Sequence, residues 1–341
     1  VAVSQAGLRY AIGVNMDKLL EVKNLKTTFK TKFGDVQAVN DVSFQLDSGE
    51  IMAIVGESGS GKSVTAMSIM KLVAAGGRIE EGEINFQGKD LARYSDKEMK
   101  NIRGAEISMI FQDPMSCINP VYTIGYQMDE VLRFHHKELD KQARKERLIE
   151  MLHKVGMSNP EHRLKQYPHE LSGGMRQRIM IAMSLLCNPK LLIADEPTTA
   201  LDVTIQAQIM DLIKELSQEF KTSVILITHD LGVVASVAHK VMVMYAGEVV
   251  ELADIRNLYY NPKHPYTWGL LKALPRLNMP KNSLMPIPGS TPDLLLKRQG
   301  CPFFDRCSYA MECCQNMNSP FFEVEPNHLV KCFRYHSEFR E

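Results

Sequence analysis

The stretch "IMAIVGESGSGKS", residues 51–63, constrains this chain more than any other. An apolar run stops at a glycine-rich octet, and a helical pattern begins at once. Glycines at 56, 59 and 61 let the backbone curl, so that successive N–H groups from 59 to 63 point at one anion, aided by the dipole of the following helix. Lys62 adds a mobile positive charge for β- and γ-phosphates, and the Ser63 hydroxyl can ligate Mg²⁺. The pattern therefore predicts a strand, a phosphate-binding loop and a helix in immediate succession.

Further strand-like runs follow: "ISMIFQ", "LLIADE", "VILITH" and "VMVMYAGEVVE". Helical stretches separate several of them, including 63–72 and 205–219, an alternation that predicts an α/β domain with a largely parallel sheet. Residues 19–45 read instead as short alternating strands of an antiparallel layer. From 127 to 156 charge and helical spacing dominate, which marks a helical insertion. Beyond Glu251 prolines and then cysteines accumulate, so a boundary is expected near 261–262. Residues 1–15 read as an expression remnant, 16–261 as a nucleotide-binding domain with a helical subdomain at about 115–180, and 262–341 as a small Cys-rich extension.

Formal charge balances at zero, without the basic excess of an electrostatic nucleic-acid binder. Apolar runs such as "SVILIT" fall well short of the roughly 20 residues that cross a bilayer. The chain opens without a secretory leader pattern and is expected to be soluble by itself. Four of its seven cysteines lie within 301–314, with Cys332 close behind and Cys117 and Cys187 elsewhere. A disulfide framework does not suit a reducing compartment, and the five residues between Cys301 and Cys307 exceed the usual spacing of a structural zinc pair.

"LLIADEP" ends a strongly apolar strand with Asp195 and Glu196. Carboxylates are rarely buried unpaired, so this placement points to Mg²⁺ at Asp195 and to a general base for water at Glu196. "LSGGMRQR", residues 171–178, then resembles the signature motif of ATP-binding cassette (ABC) ATPases. The order of phosphate loop, Gln112 in "MIFQDP", signature, "IADE", "ALD" with Asp202, and His229 in "ITHD" is the order of that family over about residues 19–252. Singly, Gln112 reads as a strand-end residue, His229 as a loop histidine, Ser172 as a helix N-cap and Asp202 as a turn former; the order decides otherwise.

The resemblance implies a RecA-like core with an antiparallel β layer and a helical subdomain. It implies ATP contacts from Gly56, Ser58, Gly59, Ser60, Gly61, Lys62, Ser63 and Thr65, with Phe29, or else Phe33, stacked on adenine. Gln112 would join Ser63 and Asp195 at Mg²⁺, and His229 would contact the γ-phosphate and position the water of Glu196. Ser172 and Gly174 would clasp ATP bound to an opposite subunit, with Asp202 at the subunit interface. Met175 replaces the Gln common at the fifth signature position, beyond the phosphate-contacting pair.

"HPYTWGLLKALP", "PIPGSTPDLL" and "GCPFFDRC" resemble the C-terminal extension of oligopeptide and dipeptide importer ATPases, above all the dipeptide-permease branch. That implies a second, non-identical ATPase subunit, two membrane permease subunits, an extracytoplasmic peptide-binding protein, and a peripheral place on the cytoplasmic face of the membrane. No nucleic-acid partner is expected. The resemblance also implies a [4Fe–4S] cluster on Cys301, Cys307, Cys314 and Cys332, with zinc as the alternative and Cys313 spare. If "SYAMECC" is helical, Cys307 and Cys314 share a face and Cys313 is rotated away. The competing reading is a soluble ABC ATPase acting on ribosomes, nucleic acid or iron–sulfur assembly.

Overall fold

The computed structural model describes residues 18–113, 117–199, 201–274, 286–295 and 299–339. They form two compact units, one built from residues up to 46, 52–92 and from 228 onward, the other from 47–51 and 93–227. In chain order the strands among them are β1 (Lys18–Thr31), β2 (Gly34–Asp47), β3 (Ile51–Val55), β4 (Gly77–Phe86), β5 (Lys89–Asp90) and β6 (Ile107–Ile110). They continue with β7 (Leu191–Asp195), β8 (Ser223–Thr228), β9 (Lys240–Tyr245), β10 (Glu248–Asp254), β11 (Phe322–Glu325) and β12 (His328–Val330).

The first unit contains an antiparallel sheet in the order β2-β1-β4-β5. The short strands expected at 19–45 are in fact two strands of 14 residues each. Only two residues join them, which admits no parallel pairing. Leu20 and Val22 are buried from β1, and across a register irregularity between Lys23 and Thr27 the buried set includes Leu25 and Thr27. The same unit has a second sheet layer, β11-β12-β10-β9-β3, in which β3 runs parallel to β9. "VMVMYAGEVVE" is the β9–β10 hairpin, turned at Ala246 and Gly247 with φ of 50° and 84°, the two positive values of a type I′ turn.

The residues after Glu251 join this layer as strands. β12 pairs with β10, placing Glu251 opposite Val330, and β11 pairs with β12. Glu251 is fully buried, and its carboxylate accepts from Lys263 N at 2.7 Å, His264 N at 2.9 Å and His328 Nε2 at 2.7 Å. A buried charge requires such partners, so one side chain of β10 fixes two separate segments of the tail.

In the second unit β6, β7 and β8 are parallel, and every residue of β7 and β8 is buried. Strands covered on both faces read as unbroken apolar runs, and each buried Leu or Ile stabilises by roughly 1.5–3 kcal/mol. Helices Ile124–His135, Lys141–Lys154, Gly173–Leu185 and Val203–Phe220 begin at Thr123, Asp140, Ser172 and Asp202, whose side chains each accept a backbone N–H of the first turn. The helix expected at 205–219 starts earlier because Asp202 caps it. The one expected at 63–72 spans Lys62–Ile69, since Lys71 already has φ of 50°. No helix among the described residues is long and apolar enough to cross a membrane.

His264, 1% exposed, caps helix Pro265–Lys272 with Nδ1 accepting from Tyr266 N at 3.1 Å. Burial, opposed only in part by Glu251, lowers its pKa to about 4. The unfolded chain takes up this proton near pH 6.5, so stability is retained above that pH and lost as pH falls toward 4. At pH 5 the loss from this group is about 2 kcal/mol. His264→Asn keeps a capping acceptor without the titration, so denaturant melts at pH 7 and pH 5 should show the wild type losing about that much more than the variant.

Candidate active site

The phosphate loop lies in the first unit. Gly56, Gly59 and Gly61 have φ of 154°, 77° and 98°, and two of them admit no side chain. A Cβ on Gly56 would lie 2.2 Å from the Met244 carbonyl oxygen, and one on Gly61 2.5 Å from that of Ala38. Lys62 is 5% exposed and donates from Nζ to Gly56 O at 2.8 Å and Glu57 O at 2.9 Å, so its charge already sits within the loop. Ser58 and Gly59 are exposed, Ser60 is buried, and Ser63 stands half-buried in the first helical turn. Thr65 is buried and its Oγ1 donates to Gly61 O at 3.0 Å, which braces the loop's exit.

Also in this unit, exposed His229 precedes Asp230, whose carboxylate caps helix Leu231–Val237. Phe29 is half-buried in β1 over Gly77, whereas Phe33 is 88% exposed between β1 and β2.

The second unit carries the remaining motif residues. Asp195 closes β7 and is 3% exposed. Glu196 follows with φ of 46°, a conformation costly for a residue with a side chain. Its Oε2 accepts from Gln112 Nε2 and from Thr199 Oγ1, both at 3.0 Å, and its N–H donates to Ile227 O at 2.9 Å. Two side chains thus hold the carboxylate of Glu196 in one place, while Ile227 fixes its backbone. Ser172 and Asp202 are exposed caps of consecutive helices, and Gly174 faces Ile205, where a Cβ would meet Cγ2 at 3.1 Å. The capping reading and the site reading of these residues are therefore compatible.

Two contacts to the loop escaped the sequence reading. Glu57 N–H donates to Tyr266 Oη at 2.8 Å, and its carboxylate pairs with Arg306 at 2.6 Å. Their partners lie 209 and 249 residues away, and no local pattern signals such a pair.

In the tail a small cavity is lined by Cys301, Cys307, Cys314 and Cys332, together with His264, Phe303 and other residues. Cys313 is not among its lining residues, although the helix there is only Cys313–Asn316 and not the longer one expected. A backbone bond from Cys301 N to Cys314 O, 2.8 Å, brings those two together. Burial pushes the Cys301 and Cys332 thiols up to about 12 and raises Cys307, with neighbouring cysteine charges acting in the same direction. Neutral thiols are poor nucleophiles, so a catalytic cysteine is not indicated here. As the side chains stand, no group of three or more Cys, His, Asp or Glu among the described residues converges as metal ligands do.

Comparison with known proteins identifies the family of the chain. Residues 39–199 match the ABC transporter family, and residues 250–314 match the oligopeptide/dipeptide transporter C-terminal region. The oligopeptide transport ATP-binding protein OppD of Bacillus subtilis is 54% identical over 95% of this chain and 91% of its own length. The dipeptide transport ATP-binding protein DppD of the same organism is 53% identical over 93% of this chain and 95% of its own. The chain belongs to the ATP-binding subunits of oligopeptide/dipeptide ABC transporters. Among solved structures, a dimeric ATP-binding cassette in a post-hydrolysis state with ADP and phosphate aligns with TM-score 0.63 and 29% identity, over 70% of this chain and 99% of that one. The fold is that of an ABC ATPase, and the activity of this ABC subunit is ATP hydrolysis.

In this ABC subunit the loop's backbone is fixed by contacts a side chain would destroy. Gly61→Ala should abolish saturable MgATP binding in titration calorimetry and lower the melting temperature by several degrees, since strain of order 1–3 kcal/mol is added to a backbone clash.

Proposed function

We propose that this chain is the ATP-hydrolysing subunit of a dipeptide or oligopeptide importer, driving peptide uptake through membrane permease subunits from the cytoplasmic face. The observation that carries the reading is the pairing of an ABC match with a peptide-transporter C-terminal match in one chain. Relatives of about half identical sequence named for oligopeptide or dipeptide transport support it. In this reading a second, non-identical ATPase subunit stands opposite, an extracytoplasmic binding protein delivers the peptide, and no nucleic acid takes part.

Lys62 and the N–H groups of the loop bind the phosphates, while Phe29 or Phe33 supplies a ring for adenine. Ser63, Gln112 and Asp195 are the residues for Mg²⁺, which when bound neutralises charge on the β- and γ-phosphates. Glu196 takes the proton of the attacking water, and Gln112 at 3.0 Å and Thr199 orient its carboxylate. His229 contacts the γ-phosphate and steadies that water. Ser172 and Gly174 present a hydroxyl, an N–H and a helix start to ATP on the opposite subunit, with Asp202 beside them at the interface.

Although their side chains do not converge as metal ligands do, we further propose that Cys301, Cys307, Cys314 and Cys332 would hold a [4Fe–4S] cluster, which would cross-link the tail, with zinc as the competing occupant. Support comes from the four thiols lining one cavity from which Cys313 is missing. Burial raises the proton affinity of Cys301, Cys307 and Cys332, so loading these thiols would release protons.

Two experiments test these readings. Glu196→Gln should bind MgATP like the wild type yet hydrolyse it about a hundredfold or more slower in the reconstituted transporter, and unchanged turnover would remove Glu196 as the base. Serine at Cys301, Cys307, Cys314 or Cys332 should reduce iron and visible absorbance in anaerobically purified protein, whereas Cys313→Ser should not. Stoichiometric zinc without sulfide would replace the cluster by zinc.

A further inference from the structure

Arg306 belongs to the tail, in the turn Phe304–Arg306 between Cys301 and Cys307, and its side chain is only 5% exposed. A guanidinium has five N–H donors. Here Nε donates to Pro288 O at 2.9 Å; Nη1 donates to Glu57 Oε2 at 2.6 Å and Tyr245 Oη at 3.2 Å; Nη2 donates to Glu57 Oε1 at 3.0 Å and Ile287 O at 3.3 Å. Tyr245 also offers its ring, 5.7 Å from the guanidinium carbon. Gly289, with φ of 80°, lies against the stem, where a Cβ would come within 3.1 Å of Arg306 Cγ. The fork is thus built around one carboxylate, that of the second residue of the phosphate loop.

The same residue is held again through its backbone. Glu57 N–H donates to Tyr266 Oη at 2.8 Å, and its carbonyl accepts from Lys62 Nζ at 2.9 Å. Tail residues therefore grip Glu57 from one side while the loop's own lysine takes hold of its carbonyl.

We propose that Arg306 is a positioning residue for nucleotide binding, cancelling the negative charge of Glu57 beside the phosphates and pinning the turn from which Lys62 acts. The proposal rests on the ATP-binding reading above. Nucleotide brings several negative charges to this loop, and an uncompensated carboxylate at its second position opposes them. Loss of Arg306 alone leaves that carboxylate exposed to the phosphates without its partner. Loss of both charges removes the repulsion.

The two single variants should accordingly differ, and only the loss of Arg306 should weaken binding. With full-length chain and MgATP titrated calorimetrically, Arg306→Gln should raise Kd by about tenfold, while Glu57→Gln leaves it unchanged or lowers it. Glu57→Gln/Arg306→Gln should return to within about threefold of the wild type. Arg306→Lys, which keeps the charge without the fork, should bind within about threefold of the wild type while melting lower. A purely structural role predicts instead that both single variants weaken binding alike and that the double variant does not recover; either result overturns the proposal, as does an unchanged Kd in Arg306→Gln. Should Arg306→Gln not fold, Glu57→Gln and the double variant still decide, because weakened binding in either beyond threefold contradicts charge cancellation. Absence of MgATP binding in the wild type, with Lys62→Ala as the negative control, would instead overturn the ATP-binding reading itself.

Discussion

Much of the first unit depends on one close approach. β9 passes so near the start of the phosphate loop that Gly56 has no room for a Cβ beside the Met244 carbonyl. The next residue of β9, Tyr245, then faces the tail, where it meets Tyr266 at 4.6 Å and Phe303 at 5.2 Å between ring centroids. Arg306 reaches past this aromatic group to Glu57. A backbone contact that forces a glycine therefore also sets where the tail can touch the loop. The consequence is a loop whose shape is held by contacts within the protein itself, which lowers the ordering cost of binding nucleotide.

The tail is joined to this unit as structure and does not merely follow it. Glu251 is a carboxylate with no exposed surface, tolerable only because two backbone N–H groups and His328 surround it. His264, fixed by the same carboxylate, stays neutral and caps the next helix. The cysteine cavity, the aromatic group and Arg306 all stand on this anchored base. In a peptide-transporter ATP-binding subunit this gives the extension a physical route to the nucleotide loop within a single unit.

The motif residues were legible because their chemistry is local. Loop glycines, Lys62 and Ser63 declare themselves by spacing, and the unbroken apolar runs before Gly56 and Asp195 mark strands covered on both faces. Helix starts were read late by two residues at Asp202, where a cap looked like a turn. The run from Val241 to Glu251 concealed a hairpin, since its turn uses Ala246 at a position where Asn or Gly is the usual signal. The expected helix through "SYAMECC" is mostly absent, yet Cys314, and not Cys313, reaches the cavity. The reason is the bond between Cys301 N and Cys314 O, which periodicity does not contain.

By itself the sequence determined the order of the nucleotide-binding motifs, the alternation of strands and helices, and the family to which the tail belongs, because each is written in neighbouring residues. Only the tertiary structure decided that Glu196 is held by Gln112 and Thr199, that four of five tail cysteines share a cavity, and that Arg306 pairs with Glu57. Those are contacts between surfaces brought together by burial. Glu57 and Arg306 are 249 residues apart, and their pairing follows from how β9, β10 and the tail pack, which no spacing along the chain encodes.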